Sequence, residues 1–194
     1  MMCKKKLIPL FILIGVIFMA GLPSKIASGQ GESESYMAPP LQPKRGLAPG
    51  MKIQLLSQDN GRKEYAVIFS KGDEVVSGLT EFAKKYDVTS AHFTGIGALR
   101  SVTLAWFSPE KKMYKKIPIK DQVEVASLTG NIALLNGNPV VHMHAVVGLS
   151  DGTAKAGHIL EAHVWPTLEV MVTVDSARMV KTTDPDTGLS FIDP

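Results

Sequence analysis

The sequence predicts an α+β domain with a mainly antiparallel β-sheet and one principal helix. Short segments rich in β-branched and aromatic residues follow one another after residue 88, separated by Gly, Asn, Asp and Pro. Only residues 73–86 carry apolar side chains at helical spacing. With 194 residues, 45% of them hydrophobic, the chain is long enough for one domain with a substantial core.

The first 29 residues have the features of a Sec-type signal peptide. Lysines at positions 4–6 precede the apolar residues 7–22, and small residues at 27–29 would allow cleavage before Gln30. We therefore expect an exported protein, periplasmic or secreted, and the alternative is an uncleaved membrane anchor. The single cysteine, Cys3, lies in this leader, which excludes a disulfide framework and a cysteine-based zinc site.

Composition divides the rest of the chain into three parts. Residues 30–50 contain four prolines and no hydrophobic periodicity, so we expect a disordered or extended linker there. The folded domain is predicted over residues 51–180, and a polar C-terminal tail over 181–194. Beyond the leader, 21 − 4 = 17 Lys and Arg face 18 Asp and Glu, a net charge of −1. Nucleic acid is therefore an unfavourable partner, because phosphate contacts need a clustered positive surface.

The elements of the domain are predicted in order. Strands at 51–56 and 64–70 flank Asn60-Gly61, a strong hairpin signal. Asp73 is the expected N-cap of the helix, and Lys84 and Lys85 suit its C-terminal end. Further strands are predicted at 89–94, 99–107, 113–119, 123–134, 140–148, 153–164 and 167–174, with residues 95–98 interrupting the first two.

Three histidines are predicted to share one face of the sheet. His142 and His144 lie two residues apart on one strand, so both point to the same side. If residues 150–152 form the following loop, His158 lies directly opposite His144. Three neutral imidazoles suit a divalent metal, with zinc as the expected ion. The alternative is ordinary half-buried histidines, and a two-residue turn would move His158 to the other face.

The sequence gives weaker indications of the positions and roles of the other histidines and of the acidic residues. His163 lies five residues after His158, an odd separation, so it should face away from the three histidines. His92 lies on a strand whose partner the sequence does not define. Hydrolysis would also need a general base, for which Glu124 is a candidate. Whether the protein is an enzyme stays open at this point.

Four motifs follow one another along the chain: Gly95-Ile96-Gly97-Ala98, Glu124-x-x-Ser127-Leu128-Thr129-Gly130-Asn131, His142-x-His144 and Gly157-His158. Together they resemble one family, the plant-and-prokaryote conserved (PPC) domain, over residues 61–174. This resemblance implies an α+β fold that assembles as a homotrimer. It also implies a metal site in some prokaryotic members at the positions of His142, His144 and His158. In plant members the domain follows an AT-hook that contacts DNA, whereas residues 43–46 here lack the second Arg and its Pro.

Three hypotheses of function follow. The first is an exported, homotrimeric protein that binds a divalent metal and, at that site, a small ligand or a protein partner. The second is a metal-dependent hydrolase or lyase that uses a carboxylate such as Glu124 as base. The third is a DNA-associated protein, which the export signal and the charge of the mature chain disfavour. Membrane contact is expected only through the signal segment, if it is not cleaved.

Overall fold

The computed structural model describes residues 34–39 and 46–193. The expected signal peptide, residues 1–29, lies outside this range, as do residues 30–33 and 40–45 of the expected linker. No helix in the described part is long and apolar enough to cross a membrane. The described elements are β1 (Tyr36–Met37), β2 (Lys52–Asp59), β3 (Arg62–Ser70), α1 (Val75–Lys85), β4 (Ser90–Ser108), β5 (Met113–Ile119), β6 (Val123–Leu135), β7 (Asn138–Gly148), β8 (Ala154–Val174), β9 (Val180–Thr183) and β10 (Ser190–Asp193).

The first hairpin forms as predicted. Strands β2 and β3 pair antiparallel up to Asp59 and Arg62. The two residues between them, Asn60 and Gly61, have φ angles of +48° and +82°. Positive φ at both central positions gives a turn whose twist matches that of the strands. Asn and Gly adopt this conformation at little cost, which explains why the dipeptide is a reliable hairpin signal.

Helix α1 lies where predicted, but its N-cap is Glu74 rather than Asp73. The carboxylate of Glu74 accepts hydrogen bonds from the backbone N–H groups of Val76 (3.1 Å) and Ser77 (2.7 Å). Asp73 is also buried, but its carboxylate accepts N–H groups from the loop and strand before the helix. The preceding turn thus already uses Asp73, and the capping position moves one residue along the chain.

Two strands are far longer than predicted. Residues 90–108 form one strand, β4, and residues 154–174 form another, β8. Where an interruption was expected in β4, its pairing with β6 shifts register between Gly95 and Gly97. A Cβ atom on Gly97 would lie 2.4 Å from the carbonyl oxygen of Thr167. These glycines therefore mark a bulge that bends the strand against its neighbour without ending it.

The four longest strands pair in a closed cycle. β4 pairs with β6, β6 with β7, β7 with β8, and β8 with β4, all antiparallel. Closure covers edges that a long open sheet would expose, although β7 pairs with β8 only from His144 to Gly148. The core lies inside this cycle and beneath α1. Its largest fully buried side chains are Phe69, Phe82, Phe93, Leu79, Leu99, Leu104, Leu128, Ile132 and Leu168.

Both described chain ends join the sheet, although the sequence predicted a linker and a tail there. In the N-terminal segment, Tyr36 and Met37 pair with edge strand β5. From Val180 onward, β9 pairs in parallel with the end of β6, and β10 pairs with β9. The turn between β9 and β10 contacts the turn before β5 through an ion pair of 2.6 Å between Asp186 and Lys112. Unpaired backbone groups at the sheet edges provide partners for these polar segments, which hydrophobic periodicity does not reveal.

Candidate metal centre

The loop between β7 and β8 sets the register of the histidines. The N–H of Leu149 donates to the carbonyl of Thr153 at 2.8 Å, and Gly152 has a φ of +82°. The loop is therefore the three-residue connection that was predicted, with glycine at its left-handed position. His144 pairs with His158 across the two strands, which confirms the predicted register.

The three histidines meet on one face of the sheet. The potential ligand nitrogens of His142, His144 and His158 all lie within 4.8 Å of one another. The Nε2 atoms of His142 and His144 are 3.3 Å apart. Two imidazole nitrogens bound to one zinc ion at 2.0–2.1 Å with tetrahedral angles would lie about 3.3 Å apart. The pair is thus already spaced as ligands of one ion, with the third imidazole beside it.

Burial keeps these imidazoles neutral. Desolvation lowers the pKa of His142 to about 4 and that of His158 to about 3, and the nearby charge of Lys181 contributes to both shifts. Desolvation also lowers the pKa of His144. Neutral imidazole is the form that binds metal. The Nδ1 atom of His158 is buried and has no hydrogen-bond partner among the described residues. A buried polar atom without a partner is uncommon and is consistent with a ligand-binding site. The donor set therefore fits a divalent ion.

Three neighbours of the histidines were not predicted. The ring of Tyr114 stacks on His158, with centroids 5.0 Å apart and planes 23° apart. Asn131 lies opposite His142 across β6 and β7, and its Oδ1 atom is buried without a hydrogen-bond partner in the described structure. Lys181, on β9, is only 4% exposed. Of the three, only Asn131 lies in a motif that the sequence singled out, and Lys181 fell within the expected tail.

The other histidines pair with carboxylates. His163 lies 3.3 Å from Glu161, and His92 lies 3.4 Å from Asp175. The prediction that His163 faces away from His158 is wrong. Between Ile159 and Glu161 the pairing of β8 with β4 shifts register by a bulge, so the alternation of faces is broken. His163 therefore shares the outer face of the sheet with His158, but further along the strand.

Glu124 lies away from the three histidines. It pairs with Gly148 on β7, whereas His144 pairs with Thr129, five residues further along β6. Five residues of strand correspond to roughly 16 Å. Together with Glu169, Glu124 borders a separate shallow cleft beside the β4 bulge. Among the described residues, the metal-competent cluster consists of the three histidines and includes no carboxylate.

Comparison with known proteins identifies the family. The Plants and Prokaryotes Conserved (PCC) domain, the same domain as PPC, matches residues 56–175. The chain belongs to this family. Its α+β fold, mainly antiparallel β-sheet with one helix, is the family's fold. A comparison with curated proteins finds no match.

Solved structures of related proteins agree with this assignment. A Bacteroides thetaiotaomicron protein described as "a putative DNA binding protein" is 34% identical, with a TM-score of 0.67, over 73% of this chain and 96% of its own. A PPC protein of Pyrococcus horikoshii is 28% identical, with a TM-score of 0.64, over 74% and 95%. A protein of Archaeoglobus fulgidus described as metal-containing is 26% identical, with a TM-score of 0.63, over 74% and 98%.

Proposed function

We propose that this protein is exported, binds a divalent metal ion through His142, His144 and His158, and uses the ion to hold a small ligand. The observation that carries the proposal is the convergence of three neutral imidazoles whose nitrogens lie within 4.8 Å of one another, two of them 3.3 Å apart. The similarity to a metal-containing protein of Archaeoglobus fulgidus supports it. When bound, the ion would supply Lewis acidity, an attraction for an electron-rich group of the ligand. Zinc is the ion that we expect, because an all-imidazole donor set suits it.

Metal titration tests this proposal. Tag-free mature protein is titrated with zinc by calorimetry, in parallel with His142→Ala/His144→Ala and with His92→Ala. The double variant should lose the high-affinity site, because two of three ligands are removed. His92→Ala should retain it, because His92 lies outside the cluster and pairs with Asp175. Equal zinc affinity in the double variant and the wild type would refute the assignment.

Export and assembly belong to the same proposal. The signal-like sequence of residues 1–29 supports export, and an intact mass of the processed protein that begins at Gln30 would test it. The resemblance to the family supports a homotrimer, as does apolar surface at Ile96 (62% exposed), Trp106 (56%) and Met171 (45%). Native mass spectrometry would detect three chains in one particle. A monomer at micromolar concentration would refute the assembly.

The two alternatives have less support. Relatives from Bacteroides thetaiotaomicron and Ralstonia eutropha are described as DNA-binding candidates, but the chain after residue 29 has a net charge of −1. Absence of salt-dependent duplex binding by the mature protein would exclude DNA association. A metal-dependent hydrolase would need a base, and Glu124 lies along β6 from the histidines. Unchanged zinc affinity in Glu124→Gln would agree with its position outside the site.

A further inference from the structure

Lys181 is a buried cation beside the candidate metal centre. The residue is 4% exposed, and desolvation lowers the pKa of its ammonium group. No hydrogen bond or ion pair of that group is found in the described part of the chain. Its backbone is held in place, because Lys181 pairs with Leu135 of β6. The preceding segment is held as well, since Leu134 donates to the carbonyl of Met179 at 2.9 Å. Withdrawing an ammonium group from water without a counter-charge is costly, and an anion bound beside Lys181 would offset this cost.

The charges at the site strengthen this requirement. Three neutral imidazoles leave a divalent ion with its full charge of +2, and Lys181 adds a further positive charge that is felt at both His142 and His158. The cluster that could hold the ion includes no carboxylate among the described residues. A zinc ion with three protein ligands keeps a fourth position open for water or a bound ligand. A ligand with a negative charge would therefore be attracted both by the ion and by Lys181.

Asn131 adds a second requirement. It lies opposite His142 on the same face of the sheet, and its Oδ1 atom is buried with no donor in the described structure. A buried amide oxygen without a donor costs free energy, which a hydroxyl or amino group of a ligand would recover. The ring of Tyr114, stacked on His158, forms an apolar wall beside these polar groups. The site would therefore favour a ligand that carries both a negative charge and a hydrogen-bond donor.

We propose that the site binds a small carboxylate that also carries a hydroxyl or amino group, with Lys181 as the residue that recognises the carboxylate. Asn131 accepts a hydrogen bond from the hydroxyl or amino group. This inference rests on the proposed metal site, since the ion and Lys181 attract the same anion. It names a ligand class and assigns to the C-terminal strand β9 a role in binding.

Three matched probes test the ligand class on the zinc-loaded, tag-free wild-type protein. Lactate has both the carboxylate and the hydroxyl, propionate lacks the hydroxyl, and lactamide lacks the charge. Calorimetry should show that lactate binds about 10-fold or more tightly than lactamide, because hydrogen bonds to charged groups are the stronger ones. Propionate should bind more weakly than lactate. No variant is required for this comparison, so a failure to fold cannot obscure it.

Variants assign the effect to Lys181. Lys181→Met keeps the length of the side chain and removes its charge, so lactate affinity should fall about 10-fold while bound zinc stays at one ion per chain. Lys120→Met, at an exposed position, is the matched control and should leave lactate affinity unchanged. Equal affinity for lactate and lactamide, or unchanged lactate affinity in Lys181→Met, with zinc bound would overturn this inference alone. Absence of zinc from the wild-type protein after loading would overturn the metal site and this inference together.

Discussion

The substitution Gly130→Ala would place a methyl group against the strand that carries His142. Gly130 lies on β6 opposite Met143 of β7. A Cβ atom there would lie 2.4 Å from the carbonyl oxygen of His142, 2.4 Å from the ring of Phe93 and 2.8 Å from the Cβ of Met143. Ordinary contact requires about 3.5 Å, so β7 must move by roughly 1 Å or the ring must shift within the packed core.

The size of the effect follows from these contacts. Overpacking a core lowers the free energy of unfolding by about 1–3 kcal/mol. Replacing glycine by alanine also reduces the conformational freedom of the unfolded chain, which offsets about 0.4–1 kcal/mol of this loss. We therefore expect a loss of about 1–2 kcal/mol in the free energy of unfolding. Metal sites tolerate displacements of only about 0.2 Å in ligand distance. Zinc affinity should accordingly fall about 10-fold or more, as it does when groups that orient a ligand are changed.

Gly148→Ala is the matched control for this prediction. It makes the same chemical change in β7, but its Cβ atom would meet only the carbonyl oxygen of Glu124, at 3.9 Å. Urea denaturation should show stability unchanged or slightly increased, by up to about 1 kcal/mol, and zinc titration should show unchanged affinity. If Gly130→Ala gave the same stability and the same zinc affinity as Gly148→Ala, the close contact between Gly130 and the His142 backbone would not be needed to position His142 for metal binding.

Three further predictions concern stability. Glu74→Ala removes a carboxylate that accepts hydrogen bonds from three backbone N–H groups, two in α1 and one in β8. Urea denaturation should therefore show that the free energy of unfolding falls by about 3 kcal/mol. The control Glu64→Ala, at an exposed position, should lower it by less than about 0.5 kcal/mol. The metal-free protein should lose stability as the pH falls below about 6.5, the pKa of an unperturbed histidine. In this range the histidines of the unfolded chain bind protons, whereas His142 and His158 in the folded protein bind them only near pH 4 and pH 3. Thermal melts that show constant stability over this range would contradict the prediction. Lys112→Ala breaks an exposed ion pair with the C-terminal hairpin and should change the free energy of unfolding by at most about 1 kcal/mol. A larger loss in thermal melts would contradict this prediction and would mean that the ion pair holds the hairpin in place.

The sequence was most informative where local chemistry alone determines the structure. Asn60-Gly61 specifies a turn through its own backbone preferences. The loop at residues 150–152 likewise sets the pairing of His144 with His158, so strand alternation was sufficient to bring the histidines together. Alternation failed for His163, because a bulge after Ile159 adds one residue to β8. Such a bulge depends on how two long strands bend around a shared core, which no single segment reveals.

Other features depend on contacts between distant segments. Lys181 reads as part of a polar tail, and only the pairing of β9 with β6 brings it into the protein. Asp73 and Glu74 are both plausible N-caps by residue type. The choice between them is made by the turn before the helix, which uses Asp73, and by the N–H of Ala162 on β8, which donates to Glu74 at 3.0 Å. These partners are far apart in the sequence and carry no local signal.

The metal content of the mature protein as purified is the direct test of the three-histidine metal site. The protein is made without a His-tag, and its metal is measured by plasma mass spectrometry alongside His142→Ala/His144→Ala and His92→Ala. We expect one divalent ion per chain in the wild type and in His92→Ala, and none in the folded double variant. One ion per chain retained by the double variant, or none in the wild type even after loading with zinc, would contradict this expectation.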